Sequence, residues 1–344
     1  MLSQGESAPR RIKSRCGAER RYLTVRVLII GLGRIGMGYD LEDNTGNLVL
    51  THARAFNSHP YFSLVGGCDA SEENRKNFET TYKKTSFNTP EAALASLDPE
   101  LVVIATPTET HKSLVQLVLN SSNADTILCE KPLAYDVDDA EAIVSACTAK
   151  KVNLLVNYHR RYLPESRKIK AILDQNSDET SWVKGVCWYS KGLLNNGSHF
   201  LNLLQWWLGP AKSVAVVHTG NRRSVEDPEP DVMLGFDRGR IFMLAAREED
   251  YSHYAIDLVT SDGKLAYDSG GGKIHWHKRI PDPVYPGYNI LDQQGEAIHT
   301  TADQAQLQVV SQIAAMRQGE AAEICTGEEA LATLKTLKKV KELI

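Results

Sequence analysis

Hydrophobic positions along the chain fall into two patterns. Between Val25 and Val156 they gather into short, nearly continuous apolar runs at 25–30, 62–69, 101–104, 126–129 and 152–156. Such runs, rich in β-branched residues, mark strands buried on both faces of a sheet. Segments with helical spacing lie between them, including 90–97, 109–120 and 137–150. Strand–helix–strand repetition predicts a parallel sheet with right-handed crossovers. The first half therefore reads as a doubly wound α/β domain.

The second half alternates at shorter range. Residues 182–191, 213–218, 231–236, 241–246, 255–260, 264–267 and 273–277 read as successive strands. Turns at Asp237-Arg238-Gly239-Arg240 and Ser261-Asp262-Gly263-Lys264 give the hairpin signal. One helix, about 198–208, interrupts the series and stops at Gly209-Pro210. This predicts a large, mostly antiparallel sheet with helices on one face. A last helix starts at Thr326, with Glu329 completing a capping box and Leu331, Leu334 and Leu337 as its apolar stripe.

Composition narrows the classes. The 344 residues carry 39 Lys+Arg against 43 Asp+Glu, so no basic excess calls for nucleic acid or an anionic membrane. No run approaches the ~18 apolar residues of a membrane span. Cys16, Cys68, Cys129, Cys147, Cys187 and Cys325 form no CxxC pair, which fits neither a disulfide framework nor a zinc site and suits a reducing cytoplasm. Residues 1–24, with Arg10, Arg11, Lys13, Arg15, Arg20 and Arg21, read as a disordered extension ahead of a natural start near Val25. An export signal around Arg20-Arg21 is the competing reading, disfavoured because the apolar stretch that follows is short and already explained as a strand.

The chemistry begins at Gly31-Leu32-Gly33-Arg34-Ile35-Gly36, a GxGxxG loop after the first strand that is expected to open a helix. Its glycines allow the tight turn, the approach of a pyrophosphate and close helix–strand packing, and the phosphates would meet amides at a helix N-terminus. Asp69 ends the second strand, where a carboxylate accepts hydrogen bonds from the adenosine ribose and repels a 2′-phosphate, favouring NAD over NADP. It lies 33 residues beyond Gly36, more than the usual ~20. A loop insertion over 38–51 accounts for the excess. Thr106-Pro107 with His111, and Glu130-Lys131-Pro132, follow the carboxyl ends of strands, where open α/β sheets place ligands. A lysine desolvated there acquires a pKa suited to proton transfer.

With Tyr158-His159-Arg160-Arg161-Tyr162 and the segment Gly192-Leu193-Leu194-Asn195-Asn196-Gly197-Ser198-His199, these motifs resemble the Gfo/Idh/MocA oxidoreductases, from Val25 to the end of the chain. The resemblance implies a Rossmann domain over 25–157, a substrate and oligomerisation α/β domain over 158–325, and a helix over 326–344 packing back on the body. It implies an NAD(P)-dependent enzyme that moves a hydride between the nicotinamide and a hydroxyl or ketone of a sugar, cyclitol or nucleotide-linked sugar. Lys131 and His199 are its expected catalytic residues. Gly31, Gly33, Arg34, Ile35, Gly36, Asp69, Thr106, Pro107, His111 and Glu130 are expected at the dinucleotide, and Tyr158, Arg160 and Asn195 at the substrate.

Family members commonly carry aspartate where this chain has Asn195, so a carboxylate relay through that position is absent. Asn202 is a milder departure of the same kind, while Trp206-Trp207 read as core packing rather than a sugar platform. A homodimer or homotetramer is expected, with a small carbohydrate as the other partner and no metal. Two alternatives stand beside the dehydrogenase: a glycosidase that oxidises transiently and then eliminates, and a non-catalytic dinucleotide sensor.

Overall fold

The computed structural model describes residues 24–43, 45–175, 181–221 and 227–344; the expectation for residues 1–24 otherwise lies outside them. Six parallel strands, β1 (Val25–Ile30), β2 (Phe62–Cys68), β3 (Thr85–Phe87), β4 (Leu101–Ile104), β5 (Thr126–Cys129) and β6 (Asn153–Val156), form a sheet in the order β3-β2-β1-β4-β5-β6. The order reverses between β1 and β4, which opens a crevice at their carboxyl ends. All residues of β4 and β5 are buried, as their unbroken apolar runs require.

Helices α1 (His52–Ser58), α2 (Glu72–Tyr82), α3 (Pro90–Leu97), α4 (His111–Ser121) and α5 (Val137–Lys150) cover the sheet. Side chains of Thr51, Ser71, Thr89 and Asp136 cap four of them by accepting a backbone N–H three residues on. The glycine loop does not run into a continuous helix. It makes one helical turn, with Met37 and Gly38 donating to the Gly33 carbonyl, and the chain then leaves. The helix resumes at α1, where His52 and Ala53 donate to the carbonyls of Ile35 and Gly36. The excursion is pinned by the buried Asp40 carboxylate, which accepts from Leu50 N, Thr51 N and the Thr51 hydroxyl. This excursion is why Asp69 lies so far along the chain from Gly36.

The second half contributes α6 (Pro164–Gln175), β7 (Val183–Tyr189), α7 (Ser198–Leu208), β8 (Ser213–Asn221), β9 (Glu229–Phe236), β10 (Gly239–Ala245), β11 (Ala255–Thr260), β12 (Gly263–Asp268), β13 (Lys273–Pro281), β14 (Asn289–Leu291) and β15 (Glu296–Ile298). The strands join in the order β14-β13-β12-β11-β7-β10-β9-β8, with β15 beside β13. β7 and β10 pair in parallel, and the other described pairs are antiparallel. One face is buried; on the other, Phe242 and Val259 stay exposed. Trp207 lies in the core and donates its indole N–H to the Ser166 carbonyl, so it packs rather than presents a platform.

Both final helices, α8 (Ala305–Arg317) and α9 (Gly327–Glu342), return to the first half. Arg317 pairs with Asp125 ahead of β5. Val156 at the sheet's edge donates to the Cys325 carbonyl, and the expected capping box of Thr326 and Glu329 is in place.

Candidate active site

The crevice at the β1/β4 reversal is a cavity of about 420 Å³ whose wall includes Gly31, Gly33, Asp69, Thr106, Pro107 and Leu114. Gly31 has φ +97°, and a Cβ there would stand 2.5 Å from the Ala105 carbonyl oxygen. A Cβ on Gly36 would fall 2.0 Å from the Gly31 oxygen, whereas one on Gly33 meets nothing within 4 Å. Gly31 and Gly36 thus serve backbone packing, and Gly33 faces open space. Among the described residues, the N–H groups of Gly33 and Arg34 have no protein acceptor. Asp69 accepts from Leu32 N at 2.7 Å and Ser71 N at 2.8 Å, tying the loop to α2 while each oxygen keeps a lone pair. An open cradle with unspent amides beside a carboxylate fits a pyrophosphate and ribose.

The side chains of four other residues expected at the dinucleotide do not line this cavity. Arg34 is exposed and Ile35 packs on the core, neither lining the cavity. The buried His111 ring spans the carbonyls of Leu133 and Thr106, each at 3.1 Å, and so ties two loops together. Glu130 is buried too. Its Oε1 accepts from His52 Nε2 at 2.8 Å and Asn157 Nδ2 at 2.6 Å, and its Oε2 accepts from Lys131 N. Burial alone would raise its pKa, but the His52 and Asn157 hydrogen bonds and the Lys131 charge more than reverse this and hold it at about 2. Glu130 is therefore the anchor beneath Lys131.

A second cavity, of about 670 Å³, lies across the 106–110 loop from the first, its wall including Glu109, Lys131, Asn195, Asp227 and Lys341. Lys131 Nζ donates to the Asn195 carbonyl at 2.8 Å and to its Oδ1 at 3.0 Å. An ammonium has three donors, which leaves one for a ligand. Burial lowers the pKa of Lys131 and the Arg160 charge adds to this, opposed by Glu130 and Asp227.

His199, in the first turn of α7, is 4% exposed and is not part of that wall. Its ring meets Tyr158 at 5.6 Å and His159 at 4.8 Å between centroids, and its Nδ1 has no hydrogen-bond partner among the described residues. Burial, then the charges of Lys131 and Arg160, drive its pKa well below the usual value, so the ring is neutral at pH 7. His159 is held at about 3 by burial and by Arg160. The Arg160 guanidinium stacks 4.8 Å over Phe200 with Nη1 3.4 Å from His159 Nε2. Arg161 pairs with Glu329 and is structural. Tyr158 is 2% exposed and supports His199 rather than lining the cavity.

Asn195 sits in a π-helical turn, Gly192–Gly197, a rare geometry often found at functional sites. Four successive amides of this turn are accepted by one short segment: Gly192 N by Glu229 Oε1 at 2.9 Å, Leu193 N by Pro228 O at 3.1 Å, Leu194 N by Asp227 Oδ1 at 2.6 Å and Asn195 N by Asp227 Oδ2 at 3.0 Å. Sequence reasoning missed this clamp, although the run Glu226-Asp227-Pro228-Glu229-Pro230 was a visible acidic signal. It also left His52, Asn157 and His159 unassigned. Among the described residues, no group of His, Cys, Asp and Glu is arranged to hold a metal, and no helix is long and apolar enough to cross a membrane.

Residues 25–158 match the family model GFO/IDH/MocA, an oxidoreductase family with an NAD-binding Rossmann fold. Inositol 2-dehydrogenase of Rhizobium meliloti is 29% identical over 152 residues, 44% of this chain and 41% of that protein. A match of 25% identity runs over 266 residues of the 2,7-anhydro-N-acetylneuraminate hydratase of Escherichia coli, covering 72% of this chain and 63% of the relative. The chain thus spans less than two thirds of either relative. In overall fold it is similar to the WlbA dehydrogenase of Bordetella pertussis, whose crystal holds NADH and UDP-GlcNAcA, with a TM-score of 0.72, 18% identity and coverage of 93% of this chain and 95% of that one.

Proposed function

We propose that this chain, whose residues 25–158 belong to the Gfo/Idh/MocA oxidoreductases, is an NAD-dependent dehydrogenase of a hydroxyl on a sugar, cyclitol or nucleotide-linked sugar. The carrying observation is the placement of two cavities on either side of one loop: the cradle of Gly33 and Asp69, and the pocket of Lys131 and Asn195. A bound nicotinamide supplies the hydride acceptor. The remaining Lys131 proton holds the reacting oxygen and stabilises negative charge developing on it. The neutral His199 ring takes the hydroxyl proton, as a base must at the moment hydride leaves. Asn195 holds the ammonium in place and orients the substrate through its amide. The Asp69 carboxylate at the end of β2 favours NADH over NADPH.

The test is absorbance at 340 nm with NAD and a panel of sugars, inositols, sugar acids and nucleotide sugars, repeated with NADH and the matching ketones. A change with one compound, lost in Lys131→Ala and His199→Ala, is the expected result. A protein that binds NADH yet is silent throughout would be a sensor instead.

A second reading has its own support, since the Escherichia coli relative matched along most of this chain is named a hydratase. Oxidation, elimination and re-reduction at the same site would leave no net NADH, and an aryl glycoside would report it by releasing its chromophore. The exposed apolar face with Phe242 and Val259 is the proposed assembly surface, checked by light scattering. The five described cysteines, all free and buried, fit a cytoplasmic home.

A further inference from the structure

We propose that Asp227 is the positioning carboxylate of this site: through the amides of Leu194 and Asn195 it holds the Asn195 carbonyl on Lys131, and it faces the lysine from the wall of the same cavity. Three observations carry this. First, both Asp227 oxygens are committed to the turn that presents Asn195, at 2.6 and 3.0 Å. Second, that turn makes room for the carboxylate. Gly192 has φ +85°, and a Cβ on it would stand 1.9 Å from Asp227 Oδ2, so the chain carries glycine where any side chain would expel Asp227. Third, Asp227 and Lys131 line the same cavity.

The surrounding charges show why such a group is needed. Lys131 is faced by Glu130 from its own segment and by Arg160, His159 and His199 from the elements behind it. Burial and Arg160 both favour the neutral amine, Glu130 opposes them from below, and Asp227 opposes them from the cavity side, where Glu109 and Tyr135 also line the wall. Lys341 of α9 faces Asp227 in turn. A carboxylate contributed from the lead-in to β9 thus stands behind Asn195, whose own amide has no charge to offer.

The proposal rests on Lys131 as the residue that meets the reacting oxygen, and its test reads Lys131 without turnover. Full-length wild type, Asp227→Asn and Glu229→Gln are labelled with trace acetic anhydride over a pH series. The peptide carrying Lys131 is then quantified by mass spectrometry, with NADH fluorescence and melting as checks on the fold. Loss of one nearby opposite charge moves the Lys131 midpoint down by about one pH unit, a roughly tenfold faster labelling below it, in Asp227→Asn. Glu229→Gln, which alters the same clamp without that charge, keeps the wild-type profile. Asp227→Ala shows the same shift as Asp227→Asn and returns toward wild type when formate fills the vacated slot, an arm that stands even if Asp227→Asn does not fold. An unmoved profile in the Asp227 variants overturns the proposal, as does an equal shift in Glu229→Gln. A silent substrate panel would defeat the dehydrogenase reading and leave this result untouched.

Discussion

Two glycine-bearing turns of this molecule are built on opposite principles. The turn at Gly31–Gly36 is shaped by missing side chains: two glycines let backbone touch backbone, and the third leaves its amide facing a cavity. The turn at Gly192–Gly197 is shaped by side chains that are present, and its first four amides are spent on Asp227, Pro228 and Glu229. The first is preorganised to accept an anion. The second has already accepted one, from its own chain, and uses it to fix a carbonyl and an amide on Lys131. An N–H row binds a ligand only when the fold has left it unpaired.

The largest test of this contrast is Gly36→Ala. Its Cβ would collide with the Gly31 oxygen at 2.0 Å, backbone against backbone, so we expect about 3 kcal/mol lost in melting and no NADH binding in a fluorescence titration. Gly192→Ala breaks the other turn, where φ +85° and the Asp227 carboxylate both exclude a side chain. Turnover on the substrate found by the panel should fall about a hundredfold, with NADH binding retained.

Acid separates the two regions next. His199 and His159 have folded pKa values below the unfolded 6.5, so the unfolded chain takes up protons first and their contribution to stability declines as pH falls through 6.5. Glu130, held at about 2 against 4.5 unfolded, adds stability that is complete above 4.5 and fades below it. All five tryptophans lie in the second half, so their fluorescence should report acid unfolding that begins below about pH 6, and His159→Gln should move that onset to lower pH. The smallest effect belongs to Gly33→Ala. Its Cβ fits the free chain, so melting should be unchanged while NADH affinity drops roughly tenfold.

How far the sequence was legible follows from the same physics. Strands β1, β4 and β5 announced themselves because burial on both faces writes an unbroken apolar run. α2 did not, because it buries only Phe78 and its remaining positions are polar. The interruption between Gly36 and His52 was readable as an excess of length, but not as a helix that stops and resumes, since hydrogen bonds across a gap leave no local pattern. Of the site, Lys131 and His199 were found through their motifs. Asp227 was not, because it reaches Asn195 through backbone amides from the lead-in to another strand.

The pairing of Val156 with Cys325 and the packing of α8 and α9 on the first half bear on how the protein is made. During synthesis the nucleotide-binding sheet emerges long before the helices that finish covering it, and β6 leaves the ribosome with a bare edge. A nascent chain ending near residue 158 thus carries every glycine of the dinucleotide loop without its completed support. Native compactness of that half is therefore expected only once α8 and α9 have emerged, a demand on chaperones that a Rossmann domain folding by itself would not make.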